Sequence, residues 1–175
     1  MTTNHLSQEE LIIEIENVNR KFIQRLSQFS EKELNKIQKQ ESWTAGQVTE
    51  HILKSNGGIL TQLLNGDASP TTRPFDEHVD LIKNIFRSED KMKTAHDLEP
   101  SQPPHNLEDL MKFLNQQQIQ QLETIKEKEL KELSSELQFP PAPNGLTRYE
   151  WIIFMIEHTR RHGKQIKNIY KEFYN

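Results

Sequence analysis

Three times along this chain a small hydroxyl residue is followed three positions later by Glu or Gln, with an apolar stripe of helical period beyond it. Ser7 precedes Glu10, Thr44 precedes Gln47 and Thr147 precedes Glu150. In such a capping box the hydroxyl accepts a backbone N–H of the first turn and the acid or amide returns the bond. Each box is also bracketed by an apolar pair (Leu6 and Leu11, Trp43 and Val48, Leu146 and Trp151), the staple that fixes how the chain enters a helix. Helix starts followed by steps of three and four leave little room for a sheet. The first helix is expected from Ser7 to about Phe29, on Leu11, Ile15, Val18, Phe22, Leu26 and Phe29. The second starts at Thr44, carries Val48, Ile52, Ile59 and Leu63 inward, and stops at Asn65-Gly66. Gly57-Gly58 in its interior costs helix stability and offers close packing or a kink. The fourth starts at Thr147 and runs through Trp151, Met155, His158, His162, Ile166, Ile169 and Phe173.

Residues 66 to about 105 form a long connection punctuated by Pro70, Pro74, Pro100, Pro103 and Pro104, with a short helix over Asp76–Arg87. A third long helix is expected from Asn106 to about Leu133, on Leu107, Leu110, Leu114, Leu122 and Ile125. Its centre, Gln116 to Gln121, reads as a solvated face with a few satisfied amides, or else Gln117 or Gln121 lines a polar cavity. The break at Pro140-Pro141-Ala142-Pro143-Asn144-Gly145 ends that stretch. No strand pattern, internal repeat or glycine-rich phosphate loop is present, so the expected class is all-α, a four-helix bundle over residues 1–175 as one domain. Short links make helices 1 and 2, and helices 3 and 4, antiparallel neighbours. The connection of about forty residues lets helices 2 and 3 run parallel, giving up-down-down-up with helices 2 and 4 antiparallel.

Composition excludes several function classes. About a third of the 175 residues are apolar and about a quarter charged, ordinary for a globular protein. A net charge of −4, with Lys126, Lys128 and Lys131 alternating with Glu127, Glu129 and Glu132, argues against nucleic-acid binding. No stretch is apolar for the length a bilayer span needs, and the opening residues do not read as a signal peptide; the expected location is cytoplasmic. The chain has no cysteine, which excludes a thiolate nucleophile and cysteine-held zinc.

Within the fourth stripe, His158 and His162 would turn imidazole nitrogens into a core, which is costly unless something satisfies them. Residues at i and i+4 project together and can share a divalent ion, but such an ion usually takes three protein ligands. His51, one step before Ile52 on the edge of the second helix's apolar face and one turn before Ser55, is the best third candidate. At 1.5 Å per residue it sits roughly 10 Å into its helix, and His158 and His162 roughly 16 and 22 Å into theirs, so an antiparallel pair brings all three near mid-bundle. The alternative is that these histidines are buried and satisfied by side chains or water. His5, His78, His96 and His105 read as surface residues. Glu50 and Glu157 point to the far sides of their helices, Arg161 is expected to pair with Glu157 at the surface, and Gln165 lies where it can support His162 or be an ordinary boundary amide.

Two segments resemble the DinB/YfiT-like superfamily of metalloenzymes. Ser42-Trp43-Thr44-Ala45-Gly46-Gln47-Val48-Thr49-Glu50-His51-Ile52 is similar to its W-[ST]-x-x-[EQ]-x-x-x-H-[IL] segment. Pro143 to Trp151, followed by Glu157-His158-Thr159-Arg160-Arg161-His162-Gly163-Lys164-Gln165-Ile166, is similar to P-x-x-G-x-[LM]-[ST]-x-x-E-W and H-T-x-R-H-x-x-Q-I. One departure is Asn144-Gly145, which lacks the bulky residue often found there. The resemblance covers nearly the whole chain. It implies an up-down-down-up bundle, often a homodimer, that holds a divalent ion, nickel or zinc among others, on His51, His158 and His162. Ser55 and Gln165 are, by their position on the helices alone, the groups placed to orient those rings. It further implies a small-molecule substrate and, in some relatives, a low-molecular-weight thiol as cosubstrate. Two reactions follow, thiol S-transfer and hydrolysis, with the transferase preferred; the alternative is a non-catalytic bundle fastened by its metal.

Overall fold

Ser7 captures the Glu10 N–H and is captured in return, and Thr44 with Gln47 and Thr147 with Glu150 do the same. In a computed structural model that describes residues 5–88, 90 and 93–174, the elements in order are α1 (Gln8–Leu26), α2 (Glu31–Leu34), α3 (Ala45–Asn65), β1 (Ala68–Ser69), α4 (Val79–Arg87), a 3-10 turn (His96–Leu98), α5 (Leu107–Glu127), β2 (Leu133–Ser134) and α6 (Arg148–Lys171). The bounds 1–175 given to the domain, and the opening residues Met1–Asn4, reach outside the described residues. The protein is a mostly helical bundle. Its four long helices form a ring, α1 against α6, α6 against α3, α3 against α5 and α5 against α1, while α4 lies outside against α6.

The ends of two long helices differ from the sequence expectation. α1 stops at Leu26, because Ser30 with Glu33 makes a further capping box and starts α2. Phe29 is buried even so. α5 ends at Glu127 rather than near Leu133, because residues 130–134 are needed elsewhere. Leu130 and Glu132 give their carbonyls to the Tyr149 and Arg148 N–H groups at the start of α6. Leu133–Ser134 pairs antiparallel with Ala68–Ser69. A two-residue ladder is too short to leave an alternating pattern that could be recognised in the sequence. Through Gly57 and Gly58 α3 continues unbroken. A Cβ on Gly57 would stand 3.5 Å from Nε2 of Gln117, an ordinary contact.

The apolar core is divided in two. Leu11 and Ile15 of α1, Ile59, Leu60 and Leu63 of α3, Ile125 of α5 and Trp151 to Ile156 of α6 form one cluster with α4. Phe22 and Leu26, Val48 and Ile52, Leu110 and Leu114, and Ile166 and Ile169 form the other. One cluster thus takes the N-terminal halves of α1 and α6 with the C-terminal halves of α3 and α5. Between them lies a polar layer. Asn19 donates to Gln121 at 2.7 Å, Asn56 to Thr159 at 3.2 Å, and Gln117 to the Leu53 carbonyl at 3.0 Å. Partners matter here, since an unsatisfied buried polar group costs about 1–3 kcal/mol. Both glutamines are satisfied, and Gln117 also edges a cavity of about 550 Å3 between α3 and α5. His51, His158 and His162 occupy one end of the polar layer.

Candidate metal centre

His51 on α3 and His158 and His162 on α6 meet where the helix pair crosses the polar layer. Nε2 of His158 lies 3.2 Å from Nε2 of His51 and 3.0 Å from Nε2 of His162. One ligating atom from each residue falls within 4.8 Å of the others. For comparison, nitrogens bound tetrahedrally at about 2.05 Å from an ion stand about 3.3 Å apart.

The outer nitrogens fix the tautomers. A carbonyl can only accept, so His51 Nδ1 carries the proton that it donates to the Leu98 carbonyl at 3.0 Å. His162 Nδ1 donates to Gln165 Oε1 at 2.7 Å. Nδ1 of His158 is 3.4 Å from Ser55 Oγ. His51 and His162 therefore turn bare Nε2 lone pairs toward His158, and unprotonated nitrogens this close repel unless a cation or proton lies between them. Burial, above all, keeps the imidazoles neutral. It pushes His158 well below the ordinary histidine range, with His162 and His51 adding to the effect. It lowers His51 against the opposing Leu98 bond. His162 is lowered to about 4, against the opposing bond from Gln165. Neutral imidazole is the form that binds metal.

Aromatic rings wall the centre. Trp43 stands 5.1 Å from His51, and Phe86 and Phe154 stand 5.1 and 5.6 Å from His158. In the sequence Trp43 reads only as half of a staple, and Phe86 only as part of the short helix over Asp76–Arg87. Nothing in the sequence pointed to Leu98, whose contribution is a backbone carbonyl. That carbonyl belongs to a strap, residues 98–105, tied to α3. Lys54 donates to the Glu99 carbonyl at 2.7 Å and Gln47 to the Ser101 carbonyl at 3.1 Å. Glu50 accepts from the Ser101 N–H at 2.7 Å, the Ser101 hydroxyl at 2.8 Å and the His105 ring at 2.7 Å. Burial opposes ionisation of Glu50, but His105, Ser101 and Lys54 outweigh it and hold the carboxyl at about 2.

Two sequence expectations are corrected here. His105 is not a surface histidine: its side chain is 7% exposed and bonded to Glu50. Arg161 does not pair with Glu157. Glu157 is buried and meets Arg160 at 2.5 Å and Arg87 at 3.3 Å, because α4 packs on that side of α6. Arg161 reaches instead across the end of α4, donating to the carbonyls of Ser88 at 2.5 Å and Asp90 at 2.6 Å. Among the others, His96 is exposed, His78 is half-buried, and His5 packs edge-on to Phe75 at 5.0 Å. Glu50 stays outside the histidine group, as its helix face implied.

The structure is similar to YfiT from Bacillus subtilis, described as a probable metal-dependent hydrolase with an unusual four-helix bundle topology. The two share 15% identity at a TM-score of 0.65, over 99% of this chain and 93% of that one. At that identity the likeness shows the fold. No curated protein matches the sequence. The sequence profile of the DinB superfamily matches residues 14–166, which takes in all three histidines, the whole of α3 and α5 and most of α1 and α6. This chain belongs to the DinB superfamily.

Proposed function

We propose that the chain is a metal-dependent enzyme acting on a small molecule, with a divalent ion held by His51, His158 and His162. The observation that carries the reading is the convergence of the three Nε2 atoms at 3.0 and 3.2 Å, with acceptors set behind His51 and His162. Imidazole ligands suit nickel and zinc. The reading takes the whole chain as one domain of up-down-down-up topology, supported by the way each core cluster joins opposite halves of the helices.

When bound, such an ion supplies Lewis acidity, lowering the pKa of a water or thiol and polarising an electrophile. The chain's own residues do the rest. Leu98, Gln165 and Ser55 orient the rings through their outer nitrogens. Trp43, Phe86 and Phe154 exclude water from the buried side, and the half-buried edge of His162 leaves an approach from outside. Among the described residues no carboxylate joins the histidine group. A nucleophile that needs little help from a base suits such a site, and a thiol, with a free pKa near 8.5, ionises far more readily than water. This supports transfer of a low-molecular-weight thiol to an electrophilic small molecule. Hydrolysis is the second reading, supported by the description of YfiT.

The test begins with protein purified without metal-affinity resin. The proposal expects close to one equivalent of metal in the wild type and its loss in His51→Ala and His162→Ala. Less than about a tenth of an equivalent, unchanged in both variants, sinks it. The metal-loaded protein is then given an electrophilic aromatic substrate with several biological thiols. Thiol-dependent turnover supports transfer, thiol-independent turnover supports hydrolysis, and no turnover with any substrate returns the centre to a structural role.

A further inference from the structure

On the far side of α6 from the histidines, a second concavity of about 330 Å3 opens between α1 and α6. Its rim carries Lys21 and Arg25 of α1 and Arg160 and Lys164 of α6, with Glu14 and Thr159 beside them. Both cationic pairs are i,i+4 pairs of like charge, a spacing that destabilises a helix. The two repulsive pairs face each other across one groove. The chain as a whole carries a net charge of −4, so the cluster is not a by-product of basic composition.

Among the described residues, Arg160 is the one of these four cations that meets a carboxylate. It meets Glu14 at 2.8 Å and Glu157 at 2.5 Å. Lys21, Arg25 and Lys164 make no ion pair or side-chain hydrogen bond among the described residues. The Arg25 guanidinium lies close against the backbone of α6. A Cβ on Gly163 would lie 2.9 Å from its Nη1, so the missing side chain of Gly163 leaves the space where the guanidinium rests against α6. At 100° per residue, Thr159, Arg160, Gly163 and Lys164 centre roughly 150° around α6 from His158 and His162. The groove is therefore separate from the metal centre, and the inference stands without the metal reading.

We propose that this groove binds a small molecule bearing a phosphate group. Arg25 offers a rigid fork that matches a tetrahedral oxyanion, and Lys21 and Lys164 supply mobile point charges that complete the neutralisation of a dianion. The volume is near the lower limit of small-molecule sites, enough for a phosphate and a compact substituent.

Inorganic phosphate is titrated into the full-length protein at constant ionic strength in chloride and followed by 1H–15N shifts. The same titration is run on the K21Q/R25Q/K164Q variant and on Arg25→Gln alone. The expected result is saturable binding with shifts at Thr159 and Gly163, weakened at least about tenfold in the triple variant. In chloride the triple variant keeps or gains thermal stability, because the Lys21–Arg25 repulsion is relieved. If it fails to fold, the single variant carries the comparison. A parallel sedimentation with vesicles containing phosphatidic acid separates sources: binding there that the substitutions abolish assigns the phosphate to a lipid headgroup. Absence of saturable binding in both arms overturns the proposal. So does phosphate affinity equal in wild type and variants, which is the outcome if phosphate is captured at the histidines instead.

Discussion

Replacing Gln165 with Leu isolates the hydrogen bond that sets the tautomer of His162, the most accessible of the three histidines of the centre. Gln165 Oε1 accepts from His162 Nδ1 at 2.7 Å. Leu is similar in size and accepts nothing, which leaves the imidazole two choices. It can keep its proton on Nδ1, unsatisfied, at a cost of about 1–3 kcal/mol. Or it can shift the proton to Nε2, where it donates across 3.0 Å to His158 and removes a lone pair from the centre. Both choices penalise the metal-bound state, and the second stabilises the metal-free one. We predict that zinc or nickel affinity falls about 10–100-fold, as for other supports of metal-bound imidazole. That is about 1.4–2.8 kcal/mol. The metal-free protein should lose no more than about 4 °C in Tm. Competition against a chromophoric chelator measures the first quantity and calorimetry the second. Gln165→Glu keeps the acceptor and adds a negative charge, so it should bind as tightly as wild type or more so. A Leu variant within about threefold of wild type, a difference of only about 0.7 kcal/mol, would refute the reasoning.

Other consequences follow from the same contacts. His51→Ala and His158→Ala should each weaken metal binding by more than about a hundredfold, since two imidazoles hold an ion poorly; equilibrium dialysis against nickel or zinc measures this. The metal-free protein should lose stability in acid. The folded imidazoles titrate below the free value, His162 at about 4, whereas the unfolded chain takes up protons near pH 6.5. Their contribution is therefore complete above about pH 6.5 and lost as pH falls toward about 4. Urea midpoints should drop between about pH 7 and pH 4.5, and less so in His162→Gln; equal drops in both proteins would contradict the assignment. Glu50→Ala removes the acceptor of three strap bonds, so amide exchange at Ser101 should accelerate at least about tenfold and metal affinity should weaken. Fast exchange with unchanged affinity would mean that the Leu98 carbonyl keeps its place without the Glu50 bonds.

The capping boxes at Ser7, Thr44 and Thr147 could be read because a box is local: four residues and a staple contain the whole interaction. Ser30 with Glu33 obeys the same rule, but a single turn carries no apolar stripe behind the box to mark it as a helix in the sequence. The three histidines could be nominated because helical geometry turns sequence spacing into height. Leu98 could not be nominated, because any residue offers the same carbonyl. The burial of Glu157 was equally hidden, since the nearby basic residues gave Arg161 as the obvious partner and only the packing of α4 selects Arg160 and Arg87.

The sequence by itself determined the helices, the inward faces of the four long ones and the residue types able to hold a metal, because these follow from interactions within a few positions of the chain. Tertiary structure decided everything that depends on distance across it. It set three Nε2 atoms around a common point and fixed two tautomers through Leu98 and Gln165. It also withdrew His105 from solvent by pairing it with Glu50. It gathered four cations from α1 and α6 along one groove. The physical reason is common to all of these. A hydrogen bond or a repulsion acts over a few ångströms of space, and residues far apart in sequence acquire that proximity only when the core closes.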